Sequence, residues 1–210
     1  MKQVLQELAT GHIVVSHVPE PQRQPGLVRV RVEASLISAG TESAQVASAG
    51  RTVLQRVLDN PALLRRGWEA ARQRGLRGLR EQVESKKSGF QMLGYSCAGV
   101  VLEADPAFPE FPAGCRVACG GGGYANHAEQ VVVPGRLCAR VPDGLSAEAA
   151  AYATLGAIAL QGIRQADVKL GETVAVIGLG LVGLLTAQLL KANGCHVVGL
   201  DPSPSALARG

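Results

Sequence analysis

The sequence predicts two joined parts, a β-rich region with helices inserted into it and the beginning of an α/β nucleotide-binding unit. Three observations support this fold class. Residues 2–38 and 92–133 contain short apolar runs separated by turn residues, as in strands. Residues 51–86 carry apolar side chains at helical spacing. Residues 173–201 run from an apolar strand through a glycine turn and a helix to a second strand.

The β-rich region is expected to span residues 1–146. Residues 3–6 and 12–15 flank the Thr10-Gly11 turn, and residues 27–32 alternate apolar and charged side chains, which is typical of a half-buried strand. Further strands are predicted at residues 97–102, 116–118 and 128–133. We predict a helical insertion at about 44–90 within this domain.

The helical insertion carries an excess of positive charge. Between Arg51 and Arg80 there are eight arginines against Asp59 and Glu69, while the whole chain has a net charge of +4. Such a cluster can mark an anionic partner. Because it coincides with helical periodicity and has only Trp68 as a nearby aromatic, we interpret it as a solvated helical face and predict no nucleic-acid partner.

Residues 147–210 are predicted to form a linking helix and the first βαβ part of a nucleotide-binding domain. Ser146 is placed to cap an alanine-rich helix over about 147–165. A doubly wound dinucleotide domain has about six strands, and only two are predicted here. We therefore expect the nucleotide domain to be incomplete and the chain to be the front of a longer protein.

The glycine turn predicts a dinucleotide site of the Rossmann type. Its glycines allow a tight turn, close approach of a pyrophosphate and close helix–strand packing. Asp201, at the end of the second strand, is placed to accept hydrogen bonds from a ribose, and its charge favours NAD over NADP. The predicted cofactor-binding residues are Gly178, Leu179, Gly180, Leu181, Val182, Gly183 and Asp201.

Composition argues against several other classes. The N-terminus has no apolar core long enough for a signal peptide, and no uninterrupted run of about 18 apolar residues suggests a membrane span. The five cysteines are odd in number and form no CxxC pair, which favours reduced thiols and a cytoplasmic protein without a membrane partner. A local metal or redox role for Cys115 and Cys119, four residues apart, is the alternative.

The order of these segments resembles the medium-chain dehydrogenase/reductase superfamily, whose members join a GroES-like β barrel to a Rossmann domain. Gly40-Thr41-Glu42 is similar to the Gly-Thr-Asp segment of that superfamily, and Gly114-Cys115-Arg116-Val117 to its Gly-Asp-Arg-Val turn. Residues 93–101 align with its Gly-His-Glu segment and the Ala-Gly-Val-Val sequence that follows it. Residues 35–42, the helical insertion and residues 155–162 are most similar to the N-terminal half of bacterial bi-domain oxidoreductases.

The resemblance also identifies where zinc-dependent members bind their catalytic metal. The corresponding positions here hold Ala39 (or Ser38, if the alignment slips by one), Tyr95 and about Thr154. Zinc prefers thiolate, imidazole or carboxylate ligands, and the four-cysteine structural lobe is absent as well. We therefore predict a zinc-independent protein with no metal site.

The resemblance implies two catalytic residues. Thr41 matches the hydroxyl that relays protons in alcohol dehydrogenases, and Tyr95 replaces the zinc-binding histidine and could direct its phenol into the same pocket. The alternatives are that Thr41 only hydrogen-bonds the backbone of a turn and that Tyr95 only packs in the core. His127, beside the glycine run 120–123, is either a general acid or base or a structural histidine, the latter being favoured.

Together these features predict an NAD(H)-dependent, zinc-independent oxidoreductase acting on a small molecule. Hydride would move between nicotinamide and a carbonyl/alcohol carbon or an activated alkene, a sugar derivative being one substrate class that the bi-domain resemblance implies. The resemblance also implies a homodimer of the full-length protein. Two alternatives remain, a nucleotide-binding or interaction module without catalysis and an inactive fragment of a longer oxidoreductase.

Overall fold

A computed structural model describes residues 1–22, 24–48 and 89–209. The helices predicted within residues 51–86, and the arginine cluster with them, lie outside the described residues. The ten described strands are β1 (Lys2–Glu7), β2 (Ile13–His17), β3 (Leu27–Ser35), β4 (Phe90–Met92), β5 (Ser96–Ala104), β6 (Arg116–Gly120), β7 (Gln130–Pro134), β8 (Cys138–Arg140), β9 (Thr173–Ile177) and β10 (His196–Leu200). The described helices are α1 (Ala39–Ser48), α2 (Ala147–Ala150), α3 (Ala153–Ala166), α4 (Leu181–Ala192) and α5 (Pro204–Leu207), with a 3-10 turn at Gly135–Leu137.

The β-rich region contains two antiparallel sheets. A five-stranded sheet has the order β7-β3-β5-β6-β8, and a three-stranded sheet has the order β2-β1-β4. An isolated bridge between Gln3 and Ala128 and a hydrogen bond from Val4 N to His127 O (2.8 Å) join β1 to the segment before β7. Within the described ranges the strands do not close into a barrel, although the predicted β-rich region with a following nucleotide unit is confirmed.

The core of the region lies on one face of the five-stranded sheet. The alternation predicted for residues 27–32 is present, because Val28 and Val30 are fully buried while the intervening arginines point outward. Val117 and Val133 from β6 and β7 are fully buried in the same cluster. On the opposite face the small side chains of Ala98 and Ala118 let α2 pack closely against the sheet.

The helix predicted over about 147–165 is two helices. Ser146 caps the first as expected, its Oγ accepting a hydrogen bond from Ala149 N at 3.2 Å. The chain then breaks at residues 151–152 before α3 begins at Ala153. The cause is a tertiary contact, since Ser96 Oγ of β5 donates to Ala151 O at 2.6 Å and fastens that turn to the sheet.

The nucleotide unit consists of β9, α4 and β10, with the two strands parallel. Its α4 packs against α3, and the cluster beneath the strands is formed by Val176, Leu179, Leu190, Cys195 and Ala206. Gly194, with φ at +77°, follows the helix and turns the chain into β10, as predicted. Among the described helices, each is too short or too polar to reach across a lipid bilayer.

Candidate active site

The glycine turn connects β9 to α4 with the geometry that its sequence predicts. Gly178 has φ at +91°, a left-handed conformation that favours glycine, and its N–H donates to Leu200 O at 2.7 Å. A Cβ atom at position 183 would overlap the carbonyl oxygen of Gly178, so only glycine lets α4 begin this close to the turn. These two glycines therefore have packing roles.

Gly180 differs from the other two glycines because open space surrounds it. It has ordinary dihedral angles (φ −73°, ψ −170°), and a Cβ atom there would meet nothing within 4 Å. It precedes α4, whose first amides have no partner within the helix by geometry. An anionic group can approach Gly180, Leu181 and Val182 and receive these N–H groups at the positive end of the helix dipole.

Asp201 lies beside this turn at the end of β10. Its Oδ2 accepts a hydrogen bond from Leu179 N and its Oδ1 one from Ser203 N, both at 2.8 Å. The backbone N–H groups of Ser203 and Leu179, in that order, lower the pKa of this carboxyl below its ordinary value. The group therefore stays ionised at neutral pH, and its remaining lone pairs can accept hydrogen bonds from a ribose.

A cleft of about 950 Å³ separates the glycine turn from the β-rich region. One wall is formed by β9, the glycine turn and the start of α4, and the other by residues 37–41. Thr41 lies on that second wall, with its Oγ1 3.4 Å from Ser38 Oγ. The cleft thus brings the predicted catalytic Thr41 to the same space as Gly178, Gly180 and Leu181. Leu179 is buried in the core instead and contributes its backbone N–H.

A second cavity, of about 610 Å³, adjoins this cleft. Ile37 and Ala39 line both spaces, so the two share a wall. Val4, Ile13 and Leu93 supply the rest of its apolar lining. Its polar groups, Ser35, Glu42, Ser43 and His127, were not among the predicted catalytic residues.

Three of those polar groups form a continuous chain of hydrogen bonds. His127 Nδ1 lies 2.9 Å from Ser35 Oγ, and its Nε2 lies 3.0 Å from Glu42 Oε2. Glu42 Oε1 accepts a further hydrogen bond from Ser38 N at 2.8 Å. Glu42 lies in the first turn of α1, where its negative charge interacts favourably with the helix dipole. Both oxygens of Glu42 and both ring nitrogens of His127 are therefore engaged.

Backbone contacts hold the imidazole in place. His127 N donates to Leu93 O at 2.9 Å, and His127 O accepts from Val4 N. Gly94, with φ at +90°, packs against the ring, because a Cβ atom there would lie 2.9 Å from His127 Nδ1 and Cε1. The glycine that the sequence aligns with a Gly-His-Glu segment thus makes room for a histidine from a distant loop.

Several dehydrogenases of known sequence are similar to part of this chain. The (R,R)-butanediol dehydrogenase of Bacillus subtilis is 39% identical over 89 residues, 41% of this chain and 25% of the relative. A D-guloside 3-dehydrogenase of Escherichia coli is 32% identical over 118 residues, 54% of this chain and 33% of the relative. An uncharacterised zinc-type alcohol dehydrogenase-like protein of the same organism is 30% identical over 132 residues, 58% and 36% of the two chains.

Solved structures share the whole described architecture. The galactitol-1-phosphate dehydrogenase of Escherichia coli superposes with a TM-score of 0.72 at 18% identity, covering 100% of this chain and 58% of its own. The quinone oxidoreductase of Thermus thermophilus, solved also with NADPH, has a TM-score of 0.65 at 22% identity, with coverage of 100% and 58%. These relatives and structural neighbours are members of the medium-chain dehydrogenase/reductase superfamily, to which the chain is similar over part of their length. No protein-family model matches the chain, and it spans less than two thirds of the length of each protein named above.

The positions at which zinc-dependent members of the superfamily hold catalytic zinc do not fit that metal here. Ala39 and Thr154 offer no thiolate, imidazole or carboxylate, and Thr154 Oγ1 instead donates to Cys119 O at 3.5 Å. Tyr95 is half-buried and is not among the described residues that line either cavity. Over residues 1–22, 24–48 and 89–209, no three or more histidine, cysteine or acidic side chains converge in a metal-binding geometry. Zinc independence remains a prediction that rests on these donor types.

The cysteines of the five-stranded sheet lie apart from both cavities. Cys97, Cys119 and Cys138 occupy neighbouring positions across β5, β6 and β8, and the Sγ atoms of Cys119 and Cys138 are 3.8 Å apart. The thiols of Cys138 and Cys97, together with burial, raise the pKa of Cys119. The Cys119 thiol is therefore protonated at neutral pH, whereas its hydrogen bond to Cys138 lowers the pKa of that second thiol. Cys115 and Cys119 both pack against the core of the sheet.

Sequence reasoning missed the Ser35–His127–Glu42 cluster as a unit. The sequence favours a structural role for His127 over that of an acid or base, and it presents Glu42 only as part of the Gly-Thr-Glu segment. The missing information is tertiary, since Ser35 and His127 are 92 residues apart and Glu42 and His127 are 85 apart. A buried acidic residue in the first turn of a helix was the one local signal available.

Proposed function

We propose that the native polypeptide is an NAD(H)-dependent, zinc-independent oxidoreductase. It transfers hydride between nicotinamide and a carbonyl/alcohol carbon or an activated alkene, with sugar derivatives among its substrates. The observation that carries this proposal is the cleft between Gly180 and Thr41, because it places an anion-receptive helix start opposite a hydroxyl of the β-rich region. The names of the relatives, dehydrogenases of a diol and of a guloside, support a secondary alcohol as the reacting group.

The chain fits a dinucleotide at two points. The N–H groups beside Gly180 suit a pyrophosphate, and the ionised Asp201 suits the ribose 2′-hydroxyl while repelling a 2′-phosphate. NAD is therefore proposed over NADP, although the Thermus neighbour was solved with NADPH. The nicotinamide, when bound, supplies the hydride acceptor or donor.

The residues of this chain bind, orient and handle protons. The Thr41 hydroxyl lies on the wall of the cleft facing the glycine turn and is proposed to hydrogen-bond the reacting oxygen or the cofactor. Tyr95 would act only if its phenol turns toward the cavity, since its ring does not line it. The mostly apolar second cavity suits a small organic substrate and strengthens any hydrogen bond made there.

The proposal is tested by titrating the chain with NADH and NADPH and following nucleotide fluorescence. Gly180→Asp should leave the fold intact, because open space receives its side chain, and should abolish binding by placing a carboxylate where the pyrophosphate approaches. Gly122→Asp adds the same charge at an exposed loop glycine that also has no neighbour within 4 Å. It should bind as the wild type does.

Either of two results would count against this site. A folded wild-type chain that binds neither nucleotide lacks a working dinucleotide site, which favours the fragment reading. Equal loss of binding in Gly180→Asp and Gly122→Asp would mean that added charge in general, and not contact at the glycine turn, weakens the complex. Preference for NADPH would leave the site in place and overturn the assignment of NAD.

A further inference from the structure

The hydrogen-bonded chain in the second cavity runs from an exposed hydroxyl to a buried carboxylate. Ser35, the last residue of β3, is exposed and lines the cavity. His127 and Glu42 behind it are only 9% and 7% exposed. The accessible end of the chain therefore carries a group that can exchange a proton with a ligand, and the sealed end carries a fixed negative charge.

The buried end determines which ring nitrogen carries the proton. An ionised carboxylate only accepts hydrogen bonds, so Glu42 Oε2 requires a proton on His127 Nε2. The neutral imidazole then presents an unprotonated Nδ1 to Ser35 Oγ at 2.9 Å. This is the arrangement in which a histidine accepts the proton of a serine hydroxyl while a carboxylate stabilises the imidazolium that results.

The position of the cavity connects this chain to the nucleotide cleft. Ile37 and Ala39 line both spaces, so a ligand in the second cavity lies next to the cleft that is proposed to hold the nicotinamide. The apolar side chains of Val4, Ile13 and Leu93 offer such a ligand a mostly apolar contact surface. In the zinc-independent enzyme proposed above, a hydrogen-bonding hydroxyl in this place would supply the polarisation of the reacting oxygen.

We propose that Ser35, His127 and Glu42 form a proton relay for alcohol oxidation and ketone reduction, with the Ser35 hydroxyl in contact with the substrate oxygen. Ser35 is then the catalytic residue, His127 the proton acceptor behind it and Glu42 a positioning residue. This inference rests on the proposed oxidoreductase function. It assigns the acid–base work to the second cavity and not to Thr41 or Tyr95.

Oxidation of a secondary alcohol by this relay begins with two proton transfers. The alcohol O–H proton passes to Ser35 Oγ while the proton of Ser35 passes to His127 Nδ1. NAD⁺, when bound in the cleft, would supply the hydride acceptor, so that the alcohol C–H bond would break, its hydrogen and electron pair would pass to the cofactor and the C–O bond would become a carbonyl. The imidazolium beside Glu42 later returns its proton through Ser35 to water, and ketone reduction runs the same sequence backwards.

The first test needs no substrate. The chain has four histidines, so ¹⁵N-histidine NMR of the 210-residue chain can resolve each ring, with His127→Gln identifying the resonances of residue 127. We expect the neutral His127 ring to be protonated on Nε2. Ser35→Ala should keep that tautomer and shift Nδ1 alone, whereas Glu42→Gln should admit the second tautomer. A neutral ring protonated on Nδ1 would overturn the relay, because no acceptor would then face Ser35.

The second test is turnover by the native polypeptide with NAD⁺ and (R,R)-2,3-butanediol, extended to a panel of secondary alcohols and methyl glycosides. Ser35→Ala should lower kcat roughly 100-fold or more, within the range of a lost acid–base group, and leave NADH affinity unchanged. Ser35→Thr retains a hydroxyl and should restore much of the rate. Ser16→Ala, a half-buried serine on β2 outside both cavities, is the matched control.

The outcomes separate this relay from the broader function. Unchanged kcat in Ser35→Ala would overturn the relay while leaving the oxidoreductase in place. A polypeptide that binds NADH but oxidises no alcohol in the panel would also overturn it, because the relay would have no proton to accept. Failure to bind NADH would instead overturn the proposed function. The tautomer of His127, measured by NMR, would in that case still show whether His127 accepts the hydrogen bond of Ser35.

Discussion

The five-stranded sheet and the two-stranded sheet of the nucleotide unit are buried to very different degrees. In the larger sheet the core valines of β3, β6 and β7 are fully buried, and α2 covers the opposite face. In β9 and β10, by contrast, Ile177 is 84% exposed, and Val198 and Leu200 are 48% and 49% exposed. The nucleotide unit is therefore packed on one face only.

This difference means that the two halves of the candidate active site are supported by different amounts of buried apolar packing. The relay side chains are anchored between two sheets and a helix, whereas the glycine turn depends on a small cluster around Leu190. Burial of apolar area is the main source of folding free energy. We therefore expect the nucleotide unit to open more readily than the β-rich region, as a region of low contact density does.

The largest expected effect is on that small cluster. Leu190 is 1% exposed in α4, and Leu190→Ala should lower the free energy of unfolding by about 2–5 kcal/mol. Amide hydrogen exchange should accelerate in β9 and β10 and much less in β3 and β5. Leu207→Ala, at a 47% exposed position in α5, is the control and should change stability by under about 0.5 kcal/mol. Equal acceleration in both sheets would show that they unfold as one unit.

The next effect concerns the close packing of the glycine turn. Gly183→Ala should cost about 1–3 kcal/mol, because its Cβ overlaps the carbonyl oxygen of Gly178 and α4 must move. Gly156→Ala in α3 has no neighbour within 4 Å and should instead raise stability by about 0.5–1 kcal/mol, through helix propensity. Thermal unfolding of both variants measures the contrast. A neutral Gly183→Ala would mean that the helix can shift at little cost.

A third prediction tests whether the exposed end of β10 selects the cofactor. Asp201→Asn removes the charge that would repel a 2′-phosphate and keeps one oxygen, so that one of the two N–H groups of Leu179 and Ser203 retains its acceptor. The ratio of NADH to NADPH affinity should fall about tenfold, or about 1.4 kcal/mol. Titration with both nucleotides gives that ratio, with Asp143→Asn on an exposed turn as the control. An unchanged ratio would remove Asp201 from cofactor selection.

The smallest expected effect lies at the junction between the two regions. Ser146→Ala removes the side-chain acceptor of Ala149 N at the start of α2 and should cost about 1 kcal/mol. The expected result is a small fall in Tm without change in nucleotide affinity. Ser205→Ala, exposed in α5, should leave Tm in place. A Ser146→Ala variant that also loses nucleotide binding would show that the linking helices position the glycine turn.

The sequence could predict the nucleotide unit in detail because its information is local. Residues 173–201 contain the strand, the turn, the helix, the second strand and the carboxylate in one continuous segment. The alternating pattern of β3 and the serine cap at Ser146 were predictable for the same reason. Each of these features depends on residues within a few positions of one another.

Features created by distant contacts could not be predicted in this way. The break between α2 and α3 follows from a bond donated by Ser96, some fifty residues away in the chain. The Ser35–His127–Glu42 chain joins the end of a strand, the start of a helix and a loop. The alignment of Gly94 with a Gly-His-Glu segment does not indicate that His127 packs against this glycine. The division of the strands into two sheets likewise depends on pairing across the fold.

The carboxylate of Glu42 links the wall of the nucleotide cleft to the second cavity. One oxygen holds the backbone at Ser38, which forms part of the wall of the nucleotide cleft, and the other holds the ring of His127 in the second cavity. The two oxygens belong to one rigid planar group, so neither contact can shift without straining the other. We therefore expect a ligand that displaces Ser38 to disturb the hydrogen bond at the imidazole, and by thermodynamic reciprocity a ligand that moves the imidazole to alter binding in the cleft by the same factor.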